Sequence, residues 1–395
     1  MKVHFRKGDS LSYYSRLFLI PLNLILDSNP NINVSNLQTG QEINIPGFFI
    51  QPYTLQEEDI LWKIAAKRNL SIDALLLLNQ HIHPNQLQVG QSLQLPVRVI
   101  DRVVDEKSNY HFQTLVRDIH KLKEMYPFIK VETIGESVLG KPIYEIRFGN
   151  GSKKVHFNAS FHANEWITSA VLMCLVETFL LSLTNSGILR GLATLPLYNE
   201  VDLSIVPMVN PDGVDLVVTG PPVSLKNEVV QLNGGSTDFS NWKANIRGVD
   251  LNKQFPAKWE LEKGRLSSKA PAPRDYPGVT PLSEPEAIAM VDLAKNRLFN
   301  RLLAFHTQGE EFYWGYEGLE PDESKNMSIE FERMSGYKSV QYIDSFAGYK
   351  DWFIQEFHKP GFTIELGKGK NPLPLSQFNN IYEETLGIFL ASLYV

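Results

Sequence analysis

Leu37-Gln38-Thr39-Gly40-Gln41-Glu42-Ile43-Asn44-Ile45-Pro46 recurs fifty positions later as Leu87-Gln88-Val89-Gly90-Gln91-Ser92-Leu93-Gln94-Leu95-Pro96. A period of this length marks a small supersecondary unit copied in tandem, so the N-terminal quarter is two modules and not one domain. Each copy has an acid before a hydrophobic helix-like stretch (Asp9 to Ile25; Asp59 to Leu78). An asparagine turn follows (Asn29-Pro30-Asn31; Asn79-Gln80-His81), and the copy ends in a Gly-Gln turn leading to a short alternating strand. The pattern predicts a compact β-α-α-β unit, used twice.

In period, turn asparagines and closing Gly-Gln-x-hydrophobic-x-hydrophobic-Pro, both copies resemble the LysM family. The resemblance implies modules at 1–47 and 50–97 that bind N-acetylglucosamine-containing glycans. Leu61-Trp62-Lys63-Ile64-Ala65 fits the family, whereas the first copy has Tyr13-Tyr14-Ser15-Arg16 where Trp-x-hydrophobic-Ala is usual. Residues 98–108 mix charges with β-branched residues and read as a connector. From 109 to 395 the pattern becomes α/β: an amphipathic helix over Phe112 to Met125 stops at Tyr126-Pro127, and strand-like and helix-like segments alternate thereafter. Gly220 to Ser240 and Lys263 to Thr280 are rich in turn residues and predict long loops.

Within this region Lys154 to Phe161 predicts a strand and Trp166 to Leu183 a buried helix. His162-Ala163-Asn164-Glu165 lies at the corner between them, where open parallel sheets carry their chemistry. Zinc accepts imidazole nitrogen and carboxylate oxygen, and a catalytic site has three protein ligands with a fourth position for water. His162 and Glu165 are candidates for two of them. Of the nine histidines only His162 has a glutamate three positions on, yet the pattern alone is too short to assign. Later strands end in matching residues: Arg301 to Phe305 runs into His306, and Gly361 to Ile364 into Glu365. Between them come Asn210-Pro211-Asp212-Gly213 and Arg247-Gly248-Val249-Asp250-Leu251-Asn252-Lys253.

In this order the motifs resemble the zinc carboxypeptidase family, and Gly135-Glu136-Ser137 and Gly140-Lys141-Pro142-Ile143 extend the match. The resemblance implies a mixed sheet flanked by helices and one zinc ion held by His162, Glu165 and His306. It makes Glu365 the general acid/base and Arg247 the cation facing the oxyanion. Family members that trim C-termini usually have Asn-Arg where this chain has Asn252-Lys253. Lysine keeps the charge but not the planar fork that grips a carboxylate, which predicts altered docking of a free terminus. The family's mobile-loop tyrosine, before Asp351-Trp352, is Tyr342 or Tyr349, with Tyr342 preferred. His81, His83, His156 and His358 read as structural or surface residues.

Composition narrows the function. A net charge of −6 and a pI near 5.9 provide no basic field for nucleic acid. A single cysteine, Cys174, rules out an internal disulfide framework and reads as a buried thiol. No secretory leader and no uninterrupted apolar run of membrane-spanning length is evident, so the expectation is a protein without a membrane partner, cytoplasmic or associated with sporulating cells or spores. Glycan modules joined to a peptidase imply a glycan that carries peptides, so peptidoglycan or muropeptides are the expected partners. The joined architecture resembles bacterial wall endopeptidases, which implies cleavage between γ-D-glutamate and meso-diaminopimelate in the stem peptide. The alternatives are a general metallocarboxypeptidase and a non-enzymatic wall-binding protein with an inactive peptidase domain.

Overall fold

The computed structural model describes residues 1–104, 106 and 108–395, which fall into two compact units. Residues 105 and 107 of the expected connector lie outside the described residues.

The first unit comprises Met1–Val103, Ile119–Lys130 and Glu177–Leu195. Strands β1 (Lys2–His4) and β2 (Glu42–Asn44) pair antiparallel, as do β3 (Phe48–Thr54) and β4 (Ser92–Arg98). Between the strands lie α1 (Leu11–Phe18) and α2 (Leu22–Asp27) in the first copy, and α3 (Leu61–Ala66) and α4 (Ile72–Leu78) in the second. Each predicted helical stretch is thus broken once. Leu19 is left-handed with φ 51° and is followed by Pro21, which has no N–H to continue a helix. At the same place in the second copy Asn69 is left-handed with φ 52°, and Ser71 caps α4 by accepting from Ala74 N.

The turn asparagines hold each copy closed. Asn79 Nδ2 donates to Leu75 O and Gln94 O, and its Oδ1 accepts from Gln94 N at 2.8 Å. Asn29 makes the equivalent bonds to Ile25 O, Asn44 O and Asn44 N. Both side chains are buried. An Asn79→Ala variant leaves the Gln94 amide without this partner, and a buried unmade bond costs about 1–3 kcal/mol. Urea unfolding of the full chain is expected to register a loss of that size; a change below about 0.5 kcal/mol would mean the turn does not depend on the clamp. The unusual tyrosines of the first copy also have a place. Tyr14, equivalent to Ile64, is fully buried with its hydroxyl on Asp9, and the Tyr13 hydroxyl donates to Asp73 at 2.6 Å.

The second unit comprises Val104–Asp118, Val131–Val176 and Pro196–Val395. Its strands are β5 (Lys130–Glu136), β6 (Pro142–Phe148), β7 (Lys153–Ala159), then, after the small hairpin β8 (Ile188–Leu189) and β9 (Leu192–Ala193), which belongs to the first unit, β10 (Val201–Val206), β11 (Arg301–His306), β12 (Glu311–Tyr313), β13 (Lys338–Val340) and β14 (Gly361–Glu365). Leaving out the hairpin, these form one eight-stranded mixed sheet in the order β13-β12-β14-β11-β7-β10-β6-β5. The four central strands, β14, β11, β7 and β10, are mutually parallel. Parallel strands are covered on both faces, which accounts for apolar runs such as Leu302-Leu303-Ala304-Phe305. Before them comes α5 (Phe112–Met125), and after β7 comes α6 (Ile167–Thr184).

Two boundaries depart from expectation. β7 stops at Ala159 and not at Phe161, because Ser160 turns left-handed with φ 51° and its N–H donates to Thr168 Oγ1. The segment 220–240, expected to be a loop, contains a helix at Lys226–Leu232. Ala163–Thr184 is long and apolar enough to cross a membrane, with an 18-residue window of mean hydropathy 1.9; 89% of that window is buried within the protein, where it forms a core helix. Cys174 lies on it, buried.

Candidate active site

The site forms where three parallel strands end. The turn at Ser160 sends the chain into a single 3-10 turn, Ala163–Glu165, for which His162 is the N-cap residue. That turn brings His162 Nδ1 within 2.9 Å of Glu165 Oε1. β11 delivers His306, whose Nδ1 is 3.1 Å from Glu165 Oε2 and 3.2 Å from His162 Nδ1. Their candidate ligand atoms lie within 4.8 Å of one another, and all three residues are buried. β14 ends at Glu365, opposite His306 in the parallel register.

Neighbouring loops hold the corner in place. Asn210 Nδ2 donates to Phe161 O and Ala244 O while its Oδ1 caps the following helix at Gly213 N. A Cβ on Gly213 would come within 2.7 Å of Ala244 O and closer still to Asn210, which explains glycine in Asn-Pro-Asp-Gly. Ala163 N donates to Lys243 O at 2.9 Å, and the indole of fully buried Trp242 donates to Ala244 O and Asn245 O. Lys243 Nζ thereby stands 3.3 Å from Glu165 Oε1. Asp250 lies 3.2 Å from His162 Nε2, so the proton on that nitrogen is directed away from Nδ1, whose lone pair is left for a cation.

Burial alone would lower the His162 pKa, but Glu165 and Asp250 outweigh it and raise it to about 9. Burial likewise works against Glu165, yet His162 and Lys243 hold its carboxyl well below the usual range. Without metal the group therefore gathers a proton that a dication would displace. Among the described residues His306 Nε2 has no hydrogen-bond partner. Two imidazole nitrogens and a carboxylate converging among buried residues fit zinc. Burial, followed by the nearby Glu165 charge, pushes Glu365 up to about 8.

The remaining expected residues have other partners, though Asn252 N donates to Asp250, the neighbour of His162. Arg247 is half exposed and pairs with Glu284 at 3.5 Å. The cation beside the histidines is Lys243, which the sequence reading missed; its one signal was its position next to a tryptophan four residues before Arg247. Lys253 Nζ is bound to Glu262, to Ser345 Oγ at 2.6 Å and to Phe346 O at 3.3 Å. Asn252 Oδ1 accepts from Tyr349 N. Tyr349 is fully buried, its hydroxyl donating to Met290 O, and so belongs to the core and not to a mobile loop. Tyr342 is 53% exposed, and its hydroxyl donates to Glu320 at 2.6 Å. His156 is a core residue: Nδ1 meets Ser204 Oγ, and burial lowers its pKa to about 3.

A buried two-histidine, one-carboxylate group at the carboxyl edge of a parallel sheet, with a second carboxylate one strand away, defines a metal-dependent hydrolase. Residues 115–387 match the zinc carboxypeptidase family model, and residues 3–46 and 53–96 match the LysM domain. The chain belongs to the zinc carboxypeptidase family and is a zinc metallopeptidase with two LysM domains. It is 55% identical over 397 residues, covering 100% of each chain, to the Lysinibacillus sphaericus protein named gamma-D-glutamyl-L-diamino acid endopeptidase 1. Its fold is also that of bovine thrombin-activatable fibrinolysis inhibitor, with TM-score 0.56, 21% identity, and coverage of 73% of this chain and 96% of the other. The Helicoverpa armigera carboxypeptidase A gives TM-score 0.54 at 19% identity, covering 72% of each chain.

Proposed function

We propose that this protein is a peptidoglycan endopeptidase that hydrolyses the bond between γ-D-glutamate and meso-diaminopimelate in the stem peptide, its LysM domains holding the glycan. The observation that carries the reading is the state of Lys253. An ammonium has three donors, and here its partners are Glu262, Ser345 and Phe346 O. No donor is left to grip a free terminal carboxylate, the contact a carboxypeptidase needs to select chain ends. The full-length relative, which shares both repeats, carries the corresponding name.

In this reading His162, Glu165 and His306 hold the zinc, which when bound supplies an acidified water and a polarised carbonyl. Glu365 would accept a proton from the attacking water and return it to the leaving amine. Lys243 faces the negative charge that develops on the carbonyl oxygen. Asp250 fixes the tautomer of His162, so that Nδ1 and not Nε2 faces inward.

Mass spectrometry of disaccharide-tripeptide digested by the protein tests the bond. The expected products are free meso-diaminopimelate and a disaccharide ending in D-glutamate; from a disaccharide-tetrapeptide, the dipeptide meso-diaminopimelyl-D-alanine should leave intact. Release of D-alanine alone from the tetrapeptide would make the protein a carboxypeptidase and overturn the reading.

A further inference from the structure

The first unit carries a groove of about 750 Å³ that has no part in the metal centre. Three cations line it, Lys67, Arg68 and Arg98, and none of its lining residues is acidic. In a chain with 44 acidic and 38 basic residues, such a surface runs against the overall balance. The cations have only neutral neighbours within the groove. Arg98 donates to Thr184 O at 2.8 Å and to Phe18 O, and stands 4.5 Å over the Phe48 ring. These contacts hold the guanidinium in place without neutralising it. Arg68 donates to Ile64 O at 3.2 Å and lies 5.4 Å over the Tyr53 ring. Asp59, which does not line the groove, interacts electrostatically with Lys67 and Arg68 and accepts from the Tyr53 hydroxyl and Gln56 N. Leu19, Val97 and Ile100 add an apolar floor, Leu19 and Ile100 each being 69% exposed.

The groove shares no residue with the hollow of the first module around Gly8, Asp9, Ser10 and Leu37, nor with the positions fifty residues further on. It is therefore a surface separate from the one the repeat itself duplicates.

We propose that this groove binds the carboxylates of a second stem peptide, other than the one being cut, on the same peptidoglycan polymer. The inference rests on the peptidoglycan reading above. Three cations, two of which share the charge of one neighbouring acid, Asp59, leave a net positive surface that suits an anion. The apolar floor matches the methylene chains of γ-linked glutamate and diaminopimelate, whereas a phosphodiester-polyol polymer has no such chain to bury. A volume of about 750 Å³ accommodates a peptide of a few residues. Engaging a second stem raises the local concentration of substrate at the metal centre without a new catalytic contact.

The test uses the full chain with Glu365→Gln, so that bound wall is not digested, and cosedimentation with sacculi stripped of phosphate polymers. Adding Lys67→Ser and Arg68→Ser is expected to weaken retention about tenfold at low salt and to flatten its salt dependence, the size expected when two modest charge contacts are lost. Lys67→Glu, at an exposed side chain, should weaken it without disturbing packing. Converting the stem carboxylates to methylamides should abolish the difference between parent and variants. Equal retention of parent and variants on stripped sacculi overturns the proposal. So does displacement by poly(glycerol phosphate) combined with indifference to amidation, which would make the groove a phosphate-polymer site. Wild-type cleavage of soluble disaccharide-tripeptide is measured in parallel: its absence would mean the peptidoglycan reading has failed, and its persistence isolates the groove.

Discussion

Replacing Glu365 by glutamine is expected to lower kcat on a disaccharide-tripeptide by a factor on the order of 10²–10⁴, the contribution of a positioned general acid/base, while zinc content is unchanged. The reason is one of elimination among carboxylates at the carboxyl edge of the sheet. Glu165 faces both histidines, Asp250 is committed to His162 Nε2, and Glu311, on the neighbouring strand, accepts the Tyr313 hydroxyl. Glu365 is paired in register with His306, one strand spacing from the ligand set, and burial has already raised its proton affinity towards neutrality. A base with a pKa near the working pH both accepts and returns a proton readily. Glutamine keeps the shape and loses only that capacity, so metal measured by atomic emission should stay at the wild-type level. Removal of zinc by a chelator should abolish activity in both proteins and restoration should rescue only the wild type. A glutamine variant retaining more than about a tenth of wild-type kcat would remove Glu365 from the chemistry, since a base contributes at least about a hundredfold.

The parts of this molecule that were legible in its sequence are those whose physics is local or repeated. The two small modules could be read because Asn29 and Asn79 each close a turn onto a strand fifteen positions away, and the same solution appears twice. The candidate metal corner could be read because His162 and Glu165 are on one turn, and His306 and Glu365 each terminate an apolar parallel strand. What was not legible depends on where loops without periodicity fold back. Lys243 and Arg247 are four residues apart in such a loop, and composition does not distinguish them. The difference is made in space by Trp242, anchored in the core, and by the bond from Ala163 N to Lys243 O. Lys253 looked available for substrate because its partner Glu262 lies in a helix, Trp259–Arg265, that overlaps a segment read as a loop. Tyr349 looked like a loop residue because the helix it opens, Tyr349–Phe357, is preceded by Gly348 with no polar side chain to announce a cap.

Those two cations yield the second large effect. Lys243→Ala is expected to lower kcat by about 10²–10³, the loss seen when a preorganised oxyanion donor is removed, while Arg247→Ala should cost less than about tenfold. Lys243 is 19% exposed and 3.3 Å from Glu165, so its charge acts through a medium with little water to screen it. Arg247 is 55% exposed and 3.5 Å from Glu284, the setting of a surface pair whose removal changes little. Lysine to alanine also takes a cation from beside Glu165, a buried candidate metal ligand, so zinc content must be measured to separate weakened metal binding from weakened catalysis. With zinc held at saturation, a loss confined to kcat identifies a contact made in the transition state, whereas a rise in KM alone identifies ground-state binding. Lys243→Arg, which keeps the charge and lengthens its reach, should recover part of the rate. If Arg247→Ala proves the more damaging of the two at saturating zinc, the oxyanion charge is met from the loop's far end, and the closeness of Lys243 to Glu165 serves the metal ligand alone.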